Sequence, residues 1–254
     1  MLKTEQLGLY LDQYRALPLH HNPELKKITL GIMDWQKQRM QNLHLNLFTA
    51  TTYSTIQEFF FSHFYNFEAL ELLAQQLQQA LKEKIKLDRW LPNELLDTIL
   101  MGFHLALITL QTDSKLAELL IKNDLELSTE NILAVLPDAE QNQIRVEQLD
   151  LLNDVSKKML KFAHSFLFRS ALRLAKPKIE QRGFSALNHY IEDGLKAMRS
   201  HKKSQIFFQH LVYQEKLFLD YLTIQQPRQL NIYYDAEHDR LVTFTQPDKD
   251  ACIY

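Results

Sequence analysis

Apolar positions recur every three to four residues along most of this chain, and that period belongs to helices. In FEALELLAQQLQQALKEKIKL, Leu70, Leu73, Leu77 and Leu81 keep to it. The pattern predicts a first strong helix over about Thr29–Ala50 and a second that begins after Ser54. A third covers Phe67–Leu87, and Pro92 suits the first turn of a fourth that runs to about Leu110. DSKLAELLIK reads as a shorter helix capped by Asp113 or Ser114. Pro137 opens a long stretch that reaches Lys176, with a break near Asn153, and Pro177 ends it. Two further helices follow, about Phe184–Ser200 and Ser204–Gln225. The tail then changes period. LNIYYDAEHDRLVTFTQ is two β-prone runs around a polar turn, so a hairpin is expected there. The fold class is all-α, a bundle of about seven to eight helices. It forms a single helical domain over 1–226, with a short C-terminal β-hairpin tail over 227–254.

The pattern is most extreme in EFFFSHFYNF. Read as a helix from Ile56 to Phe67, it leaves one narrow polar stripe of Glu58, Ser62 and Asn66. Almost everything else is apolar, which predicts a central, buried helix. QIFFQHLVYQEKLFLDYL repeats this, with Gln209, Lys216 and Asp220 as its clean polar stripe. In MLKFAHSFLFRSALRLAK, His164 falls on an apolar side with Leu160, Phe168 and Ala171. Three ring-rich helices thus carry His63, His164 and His210. A buried imidazole needs a hydrogen-bond partner, so a packing histidine is the plain reading. The sharper one makes His63, His164 and His210 contacts to haem or another apolar cofactor, since rings around a histidine suit a porphyrin.

Composition narrows the choices. Five glycines and seven prolines in 254 residues disfavour a many-stranded β fold. Cys252 is the one cysteine, which excludes an intramolecular disulfide, a cysteine-rich zinc site and an iron–sulfur cluster. The N-terminal MLKTEQLGLYLDQY carries charge every few residues and is no signal peptide. No uncharged apolar run approaches the roughly 20 residues of a membrane span, so the cytoplasm is the expected compartment.

Net charge is −2 but unevenly spread. From Lys157 to Lys203, twelve Lys and Arg face Glu180, Glu192 and Asp193; that segment is +9 and the rest of the chain −11. Lys158, Arg169, Arg173 and Lys176 line one side of a helix, with Lys161 nearby. Arg199, Lys202 and Lys203 form a second cluster. Such a surface would bind phosphates, nucleic acid or an acidic protein, unless it is solvated or paired within the chain.

Catalytic signatures are missing. No Glu precedes a His by three residues, no His-Glu-x-x-His occurs, and the five glycines are too scattered for a phosphate loop. HHNPE (His20–Glu24) and DAEHD (Asp235–Asp239) read as solvated loops, and no metal site is assigned. Trp35, Gln36 and Arg39 do lie close on one helix, where Arg39 could clamp a carboxylate or phosphate. No nucleophile or acid–base pair accompanies them.

DWQKQRM, TIQEFFFSHFYNFE, FLFRSALRLAKPKIEQRGFSALNHYIEDGLKAMR and VYQEKLFLDYL together resemble an uncharacterised gammaproteobacterial family named for an FFLEELY motif. The implied anchors are Trp35, Gln36, Arg39, Phe59, Phe60, Phe64 and Tyr65, within about Lys27–Leu222. At the motif itself, Phe61 stands for Leu, and Ser62 and His63 for two glutamates. The resemblance implies a bacterial, helical, cytoplasmic protein and brings no activity, cofactor or catalytic residue. The expected function is a non-enzymatic interaction or regulatory protein that uses the basic surface of 157–203, its β tail, or both. The partner would be a protein or an acidic ligand, nucleic acid less so, with a homo-oligomer also open. The alternative is a helical bundle that holds haem, a fatty acid or a quinone in its aromatic core.

Overall fold

The computed structural model describes residues 3–48, 53–83, 93–137, 139–200 and 204–224, with the backbone of 232–235 and 240–243. Among the described residues up to Ile224, all regular secondary structure is helical. The expected hairpin belongs to the segment after it; its turn DAEHD lies largely outside the described residues, and the helical fold stands without it. By contact the chain divides into two compact units, each made of three separate segments.

Unit 1 comprises Met1–Leu17, Thr52–Leu107 and Leu151–Phe208. It contains α1 (Lys3–Arg15), α4 (Ser54–His63), α5 (Phe67–Lys82), the first half of α6 (Asn93–Lys122), the second half of α8 (Ala139–His164), α9 (Phe166–Gln181), α10 (Ser185–Ser200) and the start of α11 (Ser204–Ile224). α10 packs against α4, α5 and α9, and α1 lies on α5. The aromatic block sits where its pattern predicts, in the core: Ile56, Phe59, Phe60 and Phe61 are buried. Burying each such ring contributes roughly 1.5–3 kcal/mol, so α4 anchors the unit. Phe59 reaches α10 because Gly194 has no side chain; a Cβ there would collide with Met159 and Phe59.

The block is not one helix, however. α4 stops at His63, and Asn66 turns extended (φ −133°, ψ 101°) to accept a hydrogen bond from the Ala69 N–H at 3.1 Å. Asn66 is therefore the N-cap of α5 and not part of a polar stripe. A second correction concerns α8 and α9. The break falls at Ser165, whose hydroxyl caps α9 through the Phe168 N–H at 3.2 Å, and not near Asn153. Pro177 stays inside α9. It sits on the exposed side in the final turns, where the Arg173 carbonyl that loses its donor can face water.

Unit 2 comprises Pro18–Thr51, Ile108–Asp150 and Gln209–Tyr254. It holds α2 (Pro23–Leu43), α3 (Leu45–Phe48), the second half of α6, α7 (Thr129–Val135), the first half of α8 and most of α11. α2 starts six residues before its apolar pattern does: the Asn22 side chain accepts from the Leu25 N–H at 3.1 Å and Pro23 fills the first turn. Ile32, Met40, Leu116, Leu120, Ile132 and Leu211 form much of the core. α6 is continuous through Asp113 and Ser114, so the separate helix expected there is absent and neither residue is a cap. By length and composition α6 could cross a membrane; most of its apolar window is buried in the fold.

Candidate functional site

Two concentrations of charge stand out. The first is inside unit 2. Helical spacing puts Gln36 and Arg39 on one buried side of α2. Arg39 Nη1 and Nη2 donate to the two oxygens of Glu215 at 3.0 and 2.6 Å, and Nε donates to Gln36 Oε1 at 2.9 Å. His44 Nε2 lies 2.6 Å from Glu215 Oε1. The guanidinium also covers the Phe218 ring, 4.4 Å from its centroid. Burial alone would raise the Glu215 carboxyl. The Arg39 charge and the hydrogen bonds from His44 and Arg39 outweigh it and hold that carboxyl at about 2. The clamp that the sequence allows for Arg39 is thus filled by the chain's own carboxylate. Trp35 is occupied too, donating its indole N–H to Thr129 Oγ1 at 3.0 Å.

The same unit holds a second buried carboxylate in a poorer setting. Asp113 is 1% exposed, its nearest cation is Arg145 at 3.6 Å, and its Oδ2 has no hydrogen-bond partner among the described residues. Burial raises its carboxyl to about 6 against the pull of Arg145.

The three histidines have different surroundings. His63 is packed between rings, tilted over Phe59 and edge-on to Tyr190, with Nε2 3.2 Å from Asp193 Oδ2. Burial lowers its pKa, which Asp193 partly opposes. Beside it is a polar recess of about 70 Å³ lined by Thr55, Glu58, Phe59, Ser62, Asp193 and Lys196. His164 and His210 are exposed on their helices, which corrects the apolar side expected for His164. Their helices place them outward because Phe162, Ala163, Phe207 and Phe208 take the buried side. An apolar recess lined by Leu95, Ile99, Phe162, Tyr190 and Leu195 measures about 20 Å³. That is room for one water and not for a haem, a fatty acid or a quinone. Among the described residues no group of three or more His, Cys, Asp or Glu is placed to hold a metal.

The second concentration of charge is on the surface of unit 1, along the end of α8 and all of α9. Part of the basic segment is neutralised. Lys161 pairs with Glu94 at 3.2 Å, Lys157 with Asp154 at 3.2 Å, and Lys176 with Glu192 at 2.9 Å and Glu180 at 3.8 Å. The Glu192 hydrogen bond chiefly raises the Lys176 pKa. Among the described residues, Lys158 has its polar contact with the sulfur of Met101 at 3.0 Å, and half-buried Arg169, exposed Arg173 and exposed Lys178 have no carboxylate partner. Arg199 is exposed with its Nε on the Leu195 carbonyl, while Lys202 and Lys203 lie outside the described residues. Phe166 is 72% and Leu174 79% exposed on the same helix.

Sequence reasoning missed Glu215 and Asp113. Glu215 had a signal: it is the one acid in the short polar break Gln214–Lys216 between the apolar residues Val212 and Phe218. Phe166 and Leu174 had none, because an apolar residue in a periodic helix reads as core.

A family model described as a domain of unknown function (DUF8198) matches residues 16–229. No curated protein and no solved structure matches the chain.

Proposed function

The chain belongs to this family of domains of unknown function, DUF8198, and we propose that it is a non-enzymatic interaction protein whose contact surface is the basic side of α8 and α9. The membership agrees with an uncharacterised family and carries no activity with it. The observation that supports the reading is the division of charge within the basic segment. Lys157, Lys161 and Lys176 already have carboxylates, whereas Lys158, Arg169, Arg173 and Lys178 have none among the described residues. A net-negative chain that leaves a row of cations uncompensated on one helix has a local potential opposite to its total charge. Anionic partners would be drawn to that row, and the attraction would fall with salt.

The test is retention on a sulfonate matrix at pH 7. The wild-type chain is expected to bind at low salt despite its net charge of −2, and R173E/K178E to pass through. A wild-type chain that is not retained overturns the proposal.

A further inference from the structure

We infer that α9 docks this protein on an anionic phospholipid surface, with Phe166 and Leu174 entering the headgroup layer and the cations beside them meeting lipid phosphates. The inference rests on the reading of the basic side as an interaction surface and names its partner.

The argument starts from the helix circumference. At about 100° per residue, Phe166, Pro177 and Leu174 fall within about 80° of one another. Arg169 and Arg173 border that strip on one edge and Lys178 on the other. The opposite side of α9, Phe168, Leu172 and Ile179, is buried in unit 1. α9 is therefore held by its apolar back, while its front carries a second, smaller apolar strip with cations on both sides. Phe166 and Leu174 are the most exposed large hydrophobics among the described residues. They stand about 12 Å apart along the axis. Leaving such side chains in water is unfavourable, and single exposed ones are common; a pair on one strip, fenced by cations, is the composition of a helix that lies in a membrane interface.

Geometry favours lipid over an acidic protein. The front of a 16-residue helix is about 24 Å long and about 10 Å wide, a few hundred Å², against the roughly 800 Å² per partner of a stable protein interface. The strip is also convex, so a protein would need a matching groove. A lipid surface needs neither: headgroups move to admit Phe166 and Leu174, and long Arg and Lys side chains reach phosphates from both edges. Glu180 is the one acid on α9, against Arg169, Arg173, Lys176 and Lys178, so the helix presents a net positive charge to the surface.

The experiment is co-sedimentation of the full chain with vesicles of phosphatidylcholine alone and of phosphatidylcholine mixed with phosphatidylglycerol. Binding is expected only to the mixed vesicles. R173Q/K178Q is expected to weaken it by about 25-fold, about fivefold for each cation removed. F166S/L174S, which keeps the charge, is expected to weaken it by about tenfold or more and to make the remainder vanish at moderate salt. All four positions are on the surface, so unchanged thermal melting shows that the variants fold. Absence of wild-type binding to mixed vesicles overturns the inference, as does F166S/L174S binding as well as wild type. If vesicles fail while a Glu-rich amphipathic peptide binds in a manner lost in R173Q/K178Q, the lipid assignment falls and the interaction surface stands. If the chain is also unretained on the sulfonate matrix, both fall.

Discussion

Arg39 and Arg173 are the same side chain in opposite circumstances. In unit 2, Arg39 is 6% exposed, and its guanidinium is used on every side by Glu215, Gln36 and the Phe218 ring. In unit 1, Arg173 is exposed and has no carboxylate partner among the described residues. A buried charge is costly to desolvate, so it persists only where its partners are built in, and those partners consume its capacity to bind anything else. An exposed charge costs little to leave open. The lesson is that the cation with the richest surroundings in this chain is structural, and the cations with the poorest surroundings are the ones free to act.

The sharpest way to break this contrast is to remove the partner of Arg39. E215Q would leave the guanidinium buried without a counter-charge, and stability at pH 7 is expected to fall by about 3–5 kcal/mol in chemical denaturation. The pH dependence carries the sign. A carboxyl held at about 2 in the folded chain, against 4.5 when free, stabilises above pH 4.5 and loses that contribution as pH falls toward 2. E215Q should lack this acid-side loss. If E215Q costs less than about 1 kcal/mol, Arg39 is not committed to Glu215 and the contrast collapses.

Asp113 refines the same point inside one unit. Its folded value, about 6, lies above the free value of 3.8, so the buried carboxyl favours the folded state only while protonated, and that advantage is lost as pH rises from 3.8 to 6. D113N imitates the protonated form. It is expected to raise stability at pH 7, by at most about 3 kcal/mol, and to match the wild type below pH 4. A clear loss at pH 7 would mean that the Arg145 contact at 3.6 Å is worth more than its length implies.

How much of this could be read from residues alone differs by level. Helix type and the buried aromatic block follow from period, because burial is what spaces apolar residues. Boundaries follow less well. Asn66 and Ser165 are caps, but each lies amid strong helix signals, and only the backbone geometry shows which polar residue turns inward to bond an N–H. Arg39 was legible as a clamp from its neighbours Trp35 and Gln36; its occupant, Glu215, is 176 positions away and no local pattern links them. The basic segment was legible as a sum. Which of its cations are spent depends on carboxylates brought by folding, such as Glu94 to Lys161 and Glu192 to Lys176. Phe166 and Leu174 show the limit most clearly, since Phe168 and Leu172, two residues away from each, are the ones that turn inward.

His63 falls between the two extremes, with its own side chain 13% exposed and that of its partner Asp193 53% exposed. Burial depresses its pKa, so the neutral ring fits the fold and protonation does not. The stability it supports is present above about pH 6.5, the unfolded value, and is lost as pH falls toward the lower folded value. H63F removes the titration. It is expected to flatten the decline below pH 6.5 and to cost about 1 kcal/mol or less at neutral pH, because a ring replaces a ring and one partly exposed hydrogen bond is lost. An unchanged acid-side decline in H63F would show that the Asp193 contact is as open to solvent as the cations of α9.

The smallest effect on the fold is expected where the largest effect on binding is proposed. R173E/K178E reverses two charges that no carboxylate among the described residues holds, so thermal melting should move by no more than about 0.5 kcal/mol equivalent. Surface charges screened by solvent contribute little to stability whatever their sign. The comparison with Arg39 is decided by this silence. If R173E/K178E destabilises as strongly as a buried-pair variant, Arg173 and Lys178 are tied to the structure, and the basic side of α9 has no free charge with which to meet a partner.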